Sequence, residues 1–386
     1  MKRGVMAGDA FVTGWGVSLP NAPVDNADIE AVLGHLESQS AAVKRRVLIN
    51  NGIQTRYYGI DPATGEVTHT NAQLTAEAIR DLCRNAGIAP ADIACLACGS
   101  SSADQVIPSH ASMVHAELGT PPCEIISPTG VCCAGVSALK YAALNVAAGL
   151  LPNAVATGSE LASPSLRASH FEPQIRLSEV DDHPMLPFSN EFLRWMLSDG
   201  AGALLVEPRP RADRPSLRID WIDLVSYASQ SEVCMYFGLQ KGEGGAVSSW
   251  RTIDDEQRLW RGGYLSLSQD VRVLNDRLPD LMKLSFARMQ ERRGIAPDRI
   301  DWLVPHFSSN WFRQRLYDGL AESGFTVPWE RWFTNLATKG NTGSAAFYIM
   351  LEELMTSGRV RRGERILGIV PESSRMLFGF LHFTVV

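Results

Sequence analysis

The sequence predicts an α/β protein built from two halves that share one order of helices and strands. A helix, a Gly-Ile-Ala-Pro stop, a buried strand, a Ser-Ser turn and a second helix are predicted within 75–118, and the same order recurs within 279–323. The two stops, 87–90 and 294–297, are followed by segments that stay in one register. Alternating helices and strands favour layers of helices on mainly parallel strands. The repeat indicates that the later half is a divergent copy of the earlier one.

We place the boundary between the halves at a connector rich in proline and charge, Glu207–Arg211. Residues 1–206 form the predicted N-terminal half and residues 207–386 the predicted C-terminal half. A strand is expected at 216–226. An insertion near 230–265, with scattered glycines and weak periodicity, is expected to lie at the surface or at a substrate entrance.

Charge and hydropathy limit the possible partners. The chain has 386 residues, of which 45% are hydrophobic and 20% charged, and a net charge of −6, so nucleic-acid binding has no electrostatic support. The first residues, MKRGVMAGDAFVTGWG, contain no apolar run long enough for a signal peptide. The uncharged stretch 141–159 is interrupted by Asn145, Gly149 and Pro152, which favours a buried helix and strand over a membrane span. We therefore expect a cytoplasmic protein without nucleic-acid or membrane partners.

The cysteines predict neither a disulfide framework nor a metal site. The count of seven is odd, which argues against a complete set of disulfides and favours a reducing compartment. Cys95 and Cys98 form a Cys-x-x-Cys pair within a predicted strand, and residues three apart on a strand point to opposite faces. We expect no metal and no cofactor, and a zinc or redox role for this pair is the weakest hypothesis.

The stretch Ile126–Gly158 carries the candidate nucleophile. Cys132 and Cys133 follow the turn formers Pro128–Gly130 and open a predicted helix rich in small residues. A cysteine in the first helical turn lies near free N–H groups and the positive end of the helix dipole, which lower a thiol pKa and favour the thiolate. The alternative is that both cysteines are small core residues, as most free cysteines are.

The Cys-Ala-Gly sequence at this helix start resembles the nucleophile site of thiolase-superfamily ketosynthases, most closely the β-ketoacyl-ACP synthase III type. The resemblance implies that Cys133, directly before Ala-Gly, is the nucleophile and that Cys132 is structural. The segment Val-Pro-His, ending at His306, resembles the family's catalytic His segment, and Gly-Asn-Thr-Gly-Ser-Ala-Ala, with Asn341, resembles its catalytic Asn loop. The resemblance also implies the thiolase fold, in which two duplicated α/β halves form a five-layered αβαβα core.

The chemistry implied by the resemblance is acyl transfer followed by condensation. Cys133 would take an acyl group from acyl-ACP or acyl-CoA, and a malonyl- or 3-oxoacyl-thioester would attack it in fatty-acid or polyketide-type biosynthesis. His306 and Asn341 would donate hydrogen bonds to the enolate oxygen of the second substrate. The backbone N–H of Cys133 would form part of the oxyanion hole, with the second donor from Ser374–Met376, assigned to Met376.

Two departures from the family pattern bear on the donor and the product. The segment Arg46–Ile53 lacks the tryptophan that binds the coenzyme A nucleotide in primary-metabolic members, which favours an acyl carrier protein as donor. The basic run Lys44, Arg45 and Arg46 would suit an acidic carrier, although a solvated charge run is the alternative. The extra length between nucleophile and histidine, around 170–270, resembles the specialised-metabolite branch that forms dialkylresorcinols and cyclohexanediones.

The resemblance also implies a homodimer. The segment Gln105–Pro108 resembles the family loop that crosses the dimer interface, which would place Ile107 near the acyl tunnel of the other subunit. Two further functions stay open. One is acyl transfer to an alcohol or amine without C–C bond formation, and the other is a non-catalytic partner subunit of a ketosynthase heterodimer.

Overall fold

The computed structural model describes residues 8–36, 41–171, 192–242 and 245–386. The strands are β1 Phe11–Ser18, β2 Val24–Asp25, β3 Thr55–Arg56, β4 Cys95–Ser100, β5 Glu124–Ile126, β6 Ala154–Glu160, β7 Gly200–Glu207, β8 Leu217–Ser226, β9 Met235–Tyr236, β10 Leu239–Lys241, β11 Val247–Ser249, β12 Ser268–Gln269, β13 Trp302–Pro305, β14 Arg365–Glu372 and β15 Leu377–Val385. The α-helices are α1 Ile29–Leu33, α2 Ala41–Asn51, α3 Asn71–Ala86, α4 His110–Leu118, α5 Cys133–Ala147, α6 Glu256–Arg261, α7 Val271–Arg293, α8 Trp311–Glu322, α9 Leu336–Lys339 and α10 Ala346–Thr356.

The main sheet of the described residues joins two groups of strands edge to edge. Its order is β13-β14-β15-β8-β1-β7-β6-β4-β5. The two groups meet where Phe11 and Val12 of β1 pair antiparallel with Arg218 and Leu217 of β8. Strands β1 to β7 come from the earlier part of the chain and β8 to β15 from the later part, with β7 ending at Glu207. The division into domains 1–206 and 207–386 stays a prediction.

Helices lie on both outer faces and between the two groups of strands. Helix α3 packs on β1 and β7, and α4 packs on β4 and β5. Helices α5 and α10 lie in the middle, because each contacts strands of both groups. Helix α7 contacts β15 on the other outer face and packs against α8. The expected five layers, αβαβα, are confirmed.

The middle layer is packed closely enough to require glycine. A Cβ atom at Gly158 in β6 would lie 2.1 Å from the carbonyl oxygen of Ser344, and one at Gly135 in α5 would lie 2.6 Å from the same oxygen. Real Cβ atoms do not approach this closely, so larger residues would force the backbones apart. This packing explains why the helix after the two cysteines is rich in small residues.

The Gly-Ile-Ala-Pro stops adopt the same conformation in both places. Gly87 and Gly294 end α3 and α7 in the left-handed region, with φ of 67° and 62°. Each stop continues into a short 3₁₀ turn, Pro90–Asp92 or Pro297–Arg299, and then into β4 or β13. Glycine reaches this conformation without the Cβ clash that other residues meet. The predicted repeat of helix, stop and strand is confirmed.

Two predicted helix starts are wrong. Helix α7 begins at Val271, because the side chain of Asp270 caps it by accepting the Val273 N–H at 3.0 Å, so Pro279 lies inside the helix rather than at its start. Helix α3 begins at Asn71 rather than at Thr75. Its capping box precedes the apolar periodicity from which the start was predicted.

The predicted insertion near 230–265 contains β9, β10, β11 and α6, with 243–244 outside the described residues, and β12 follows it. Of the expected extra length, 172–191 also lies outside them, as do residues 1–7 at the start of the chain. None of the described helices has both the length and the apolar character to cross a bilayer.

Candidate active site

The structure brings Cys132, His306 and Asn341 together. The Sγ atom of Cys132 lies 3.1 Å from Nε2 of His306. Both side chains line one cavity with Asn341, and Val131 and Pro371 complete the wall beside them. The predicted histidine and asparagine therefore share a cavity with a cysteine, and that cysteine is Cys132.

Cys133 points elsewhere. It is the first residue of α5, and its Sγ lies 3.2 Å from the carbonyl oxygen of Val370 and 3.8 Å from that of Leu377. Both cysteines belong to one buried apolar cluster, in which Cys133 is 0% exposed and Cys132 is 9% exposed. Cys133 is not among the described residues that line the cavity. The assignment of Cys133 as the nucleophile stays a prediction from the motif.

A carboxylate from the other half of the chain caps the start of α5. Oε2 of Glu372 accepts the N–H of Val131 at 3.0 Å and that of Cys133 at 2.9 Å. The Ser374 hydroxyl donates to Oε1 of the same carboxylate. A negative group is favourable at a helix N-terminus, where unpaired N–H groups and the helix dipole meet it. Sequence reasoning missed Glu372, although it placed the second oxyanion donor close by, at Ser374–Met376.

The predicted oxyanion hole is not assembled in this conformation. The N–H of Cys133 already donates to Glu372, so an acyl carbonyl could use it only after that carboxylate moves. Met376 lies just before β15 with φ of 59°, and its carbonyl accepts the N–H of Tyr227 at 2.8 Å. The donor assigned to Cys133 therefore requires Glu372 to be displaced, and the assignments of Cys133 and Met376 both stay predictions.

Burial keeps the cysteines and the histidine uncharged at neutral pH. Burial first, and the Glu372 carboxylate second, raise the pKa of Cys132 and of Cys133 well above that of an ordinary thiol. The expectation that the helix start lowers a thiol pKa is therefore reversed here, first by burial and second by the Glu372 carboxylate at that end of the helix. Burial also lowers the pKa of His306 to about 4, so its ring is neutral and one nitrogen carries the proton.

Backbone contacts hold the two predicted donors in place. The N–H of His306, at the end of β13, donates to the carbonyl of Ile369 on the parallel strand β14 at 2.8 Å. Oδ1 of Asn341 accepts the Gly343 N–H at 3.0 Å, which leaves the NH₂ group as the donor. The backbone N–H of Asn341 donates to the carbonyl of Met196, and the Asn341 carbonyl accepts the N–H of Ser198. The Asn341 amide is therefore oriented before any substrate binds, and the backbone of His306 is anchored to β14.

Apolar space surrounds the histidine. His306 also borders a second cavity between α7 and α8, whose wall is formed mainly by apolar side chains. They include Leu278, Met282, Phe286, Phe312, Leu316 and Leu320. Such walls favour hydrocarbon over charged substrates.

A wider cleft of about 480 Å³ shares Leu274 and Phe312 with the inner cavity. Arg46 lines this cleft and is exposed. Arg45 is exposed on an adjacent pocket, and Lys44 is paired with Glu30 at 2.6 Å. The basic run therefore does not form one uniform patch, and Arg46 is the residue placed at the cleft.

The remaining predicted positions lie outside the cavity. Ile107 and its neighbour Val106 are 82% and 69% exposed. Cys95 packs in the middle layer and Cys98 in the outer cluster, on opposite faces of β4, as expected from their spacing. Within the described parts of the chain, no group of His, Cys, Asp or Glu could hold a metal ion.

Acid should destabilise the fold between about pH 6.5 and pH 4. Burial lowers the pKa of His306 and of His110 to about 4, whereas histidines of the unfolded chain take up protons near pH 6.5. The stability that comes from burying these two histidines in their uncharged form is thus complete above pH 6.5, and it is lost as the pH falls towards 4. His110→Gln removes one such group, so its free energy of unfolding should fall less steeply, by roughly 1.4 kcal/mol per pH unit. Urea titrations at several pH values measure this, and equal slopes would contradict it.

Comparison with known sequences finds that the chain is similar to β-ketoacyl-[acyl-carrier-protein] synthase III proteins. Residues 290–370 match the family model for 3-oxoacyl-[acyl-carrier-protein (ACP)] synthase III C terminal. The β-ketoacyl-[acyl-carrier-protein] synthase III of Rhizorhabdus wittichii is 26% identical over 363 residues, which is 93% of this chain and 94% of the relative. The enzyme of the same name from Ruegeria sp. is 26% identical over 362 residues, with the same coverage of both chains.

Solved structures agree on the fold. AbyA1, a tetronic acid condensing enzyme, superposes with a TM-score of 0.75 at 20% identity, over 97% of this chain and 99% of that one. The 3-oxoacyl-(acyl carrier protein) synthase III of Pseudomonas aeruginosa gives a TM-score of 0.70 at 21% identity, over 97% and 98%. The chain therefore has the thiolase fold. Within that class, its sequence and its structure are both similar to those of β-ketoacyl-ACP synthase III.

Proposed function

We propose that this chain is a ketosynthase that loads an acyl group onto an active-site cysteine and condenses it with a malonyl- or 3-oxoacyl-thioester. The observation that carries the proposal is the contact of 3.1 Å between Cys132 Sγ and His306 Nε2, in a cavity that Asn341 also lines. A thiol, a neutral imidazole and an amide donor are the groups that this reaction needs. The motif favours Cys133 of the adjacent pair as the nucleophile, and the geometry favours Cys132.

The first step is a thioester exchange. The cysteine sulfur attacks the acyl carbonyl, the new S–C bond forms, and the bond between the acyl carbon and the carrier sulfur breaks. The thiol proton leaves with the carrier thiolate, so the products are the acyl-enzyme and the free carrier thiol. The neutral ring of His306 can relay this proton, because its pKa of about 4 leaves one nitrogen able to accept it at neutral pH.

The second step forms the carbon–carbon bond. A malonyl-thioester loses CO₂, and the carbanion attacks the acyl-enzyme carbonyl, which releases the enzyme thiolate and the 3-oxoacyl product. Negative charge develops on the thioester oxygen of the second substrate before the attack. The NH₂ group of Asn341 and the ring of His306, in the tautomer that carries its proton on Nε2, would stabilise that charge, and an amide does so without adding a like charge.

An acyl carrier protein is the donor that we favour. The relatives of this chain are named for that carrier, and the exposed Arg46 at the cleft would suit an acidic partner. All seven cysteines are free thiols, which supports placing the protein in the reducing cytoplasm. We also propose a homodimer in which Ile107 lies near the acyl tunnel of the partner subunit, where Ile107 and Val106, exposed in the single chain, would be removed from water.

The test of this function is a two-stage assay on the purified protein. Incubation with a panel of acyl-ACP and acyl-CoA thioesters should give an acyl adduct by intact-protein mass spectrometry. Addition of a malonyl-thioester should discharge the adduct and give a 3-oxoacyl product with release of CO₂. An adduct that passes only to alcohols or amines would instead establish the acyltransferase alternative, and no adduct with any donor would fit a non-catalytic subunit.

Reversing the charge at the cleft should weaken carrier binding without slowing the chemistry. Arg46→Glu is expected to raise the KM for acyl-ACP about tenfold and to leave kcat nearly unchanged, since one charge contact with the partner is lost. Arg362→Glu, an exposed arginine that lines none of the cavities described, is the matched control. The difference in KM between Arg46→Glu and wild type should shrink at high salt, because salt screens exposed charges. An unchanged KM in Arg46→Glu would contradict the assignment.

A further inference from the structure

We infer that Gln269 and Ser373 select the substrate by hydrogen-bonding an uncharged oxygen, oxo or hydroxyl, close to its thioester. The inference deepens the proposed function and rests on it for the thioester itself. The two side chains line the same inner cavity as Cys132, His306 and Asn341. Neither the loading step nor the condensation step proposed for this cavity uses them.

The two side chains form a neutral hydrogen-bonded pair within the wall of the cavity. Nε2 of Gln269 donates to the hydroxyl oxygen of Ser373 at 3.1 Å, and Gln269 is only 4% exposed. Apolar side chains line the same cavity, among them Met235, Leu274 and Leu278. The pair keeps one donor, the hydroxyl hydrogen of Ser373, and one acceptor, Oε1 of Gln269. A carbonyl oxygen can accept from the hydroxyl, and an alcohol can use both groups.

The small size of the cavity places this pair close to the reacting groups. Its volume is about 60 Å³, which is room for roughly four water-sized groups. A thioester whose oxygen meets His306 and Asn341 there brings the next carbons of its chain within reach of the pair. Ser373 also comes directly after Glu372, the residue that caps the start of α5. The oxygen that the pair binds therefore lies within a few bonds of the thioester carbonyl.

The charge of the cavity favours an uncharged oxygen over a carboxylate. No lysine or arginine is among the described residues that line it, and burial keeps the ring of His306 neutral. The one charged group close by is the carboxylate of Glu372 at the start of α5. A substrate carboxylate would be buried here without a counter-charge and near a like charge, which is costly. A 3-oxoacyl-thioester therefore suits this wall better than a malonyl-thioester.

The predicted insertion holds Gln269 in this wall. Gln269, in β12, pairs antiparallel with Met235 of β9, which lies inside the insertion. The N–H of Cys234 donates to the carbonyl of Ser374 at 2.8 Å, which fastens the insertion to the turn after β14. The carbonyl of Cys234 accepts the N–H of Asp270 at 2.6 Å, so the backbone next to Gln269 is fixed as well. The insertion thus positions a side chain that contacts the substrate.

The test uses three amide analogues of acyl-pantetheine, octanoyl, 3-oxooctanoyl and 3-hydroxyoctanoyl, which a cysteine cannot take up as a thioester. Isothermal titration calorimetry measures their Kd values for the wild-type protein. At least one oxygenated analogue should bind about tenfold or more tightly than the octanoyl analogue, because the unsubstituted chain leaves the buried pair without a partner. Equal Kd values for all three would overturn the inference, and this measurement needs no variant.

Two variants assign the preference to the pair. Gln269→Met removes the amide and keeps the length of the side chain, and Ser373→Ala removes the hydroxyl. Each should weaken binding of the oxygenated analogues and leave the Kd of the octanoyl analogue nearly unchanged. Gln257→Met, at an exposed position of α6, is the matched control and should keep the wild-type preference. Equal weakening of all three analogues would show that the pair only shapes the cavity, and would overturn the inference.

Failure of the inference and failure of the proposed function give different results. If acyl adducts form on the wild-type protein and the three analogues bind equally, only the inference fails. If an oxygenated analogue binds more tightly and no thioester gives an adduct, the proposed function fails, and the selection of an oxygen by the pair stands.

Discussion

Replacing Asn341 with alanine is expected to slow condensation by about 10²–10³-fold while the acyl-enzyme still forms. The amide is oriented by its bond to the Gly343 N–H, and its NH₂ group is the donor left for the enolate oxygen. Loss of one such donor removes stabilisation that exists only after decarboxylation begins, so the loading step keeps its rate. Single-turnover acylation by mass and product formation with a malonyl-thioester separate the two steps.

Asn145→Ala is the matched control, because Asn145 lies far along α5 and its amide bonds only to the Tyr141 carbonyl in the same helix. His306→Ala should lose condensation at least as strongly as Asn341→Ala and should also slow loading, since its Nε2 contacts the Cys132 sulfur. Condensation by Asn341→Ala at near the wild-type rate would show that the enolate is stabilised by other groups.

Adding one methyl group to the middle layer should have the largest effect on stability. In Gly158→Ala the new Cβ would lie 2.1 Å from the Ser344 carbonyl oxygen and 2.7 Å from its carbon, which are backbone atoms that no rotamer change can move. We expect the free energy of unfolding to fall by about 3 kcal/mol or more, since overpacking a close contact typically costs 1–3 kcal/mol even where side chains can yield. Urea unfolding of both proteins measures the difference.

Gly319→Ala is the control for this substitution. Gly319 lies within α8 and no heavy atom is within 4 Å of its added Cβ, so alanine should be neutral or stabilise the helix by about 0.5–1 kcal/mol. Equal stability of Gly158→Ala and wild type would contradict the tight packing of β6 against the 343–345 turn.

The overall architecture was predictable because it is encoded by local patterns. Each of the two Gly-Ile-Ala-Pro stops supplies a left-handed glycine that ends a helix and a proline that opens the following 3₁₀ turn, and both residues are visible in the sequence. His306 and Asn341 were found for a similar reason, since each ends a strand or starts a helix within a short recognisable segment. Their approach to one cavity follows from the duplicated layers.

The choice between Cys132 and Cys133 could not be predicted in the same way. One residue along a helix changes the direction of a side chain by about 100°, and a motif match does not fix where the helix backbone begins. The residue that does fix it, Glu372, is 239 positions away from Cys133 in the sequence. No local pattern connects the two, so the contact becomes visible only when both halves are in place.

This long separation has a consequence for how the protein becomes active as it is made. The ribosome delivers both cysteines early, but the carboxylate that caps their helix arrives with β14, after more than half of the chain has followed. His306 also emerges late, so a growing chain carries its thiols without the imidazole through which the proposed loading step moves the thiol proton. Acyl carriers that meet an unfinished polypeptide would therefore find no site to load, and fragments released early should neither sequester acyl groups nor hydrolyse them.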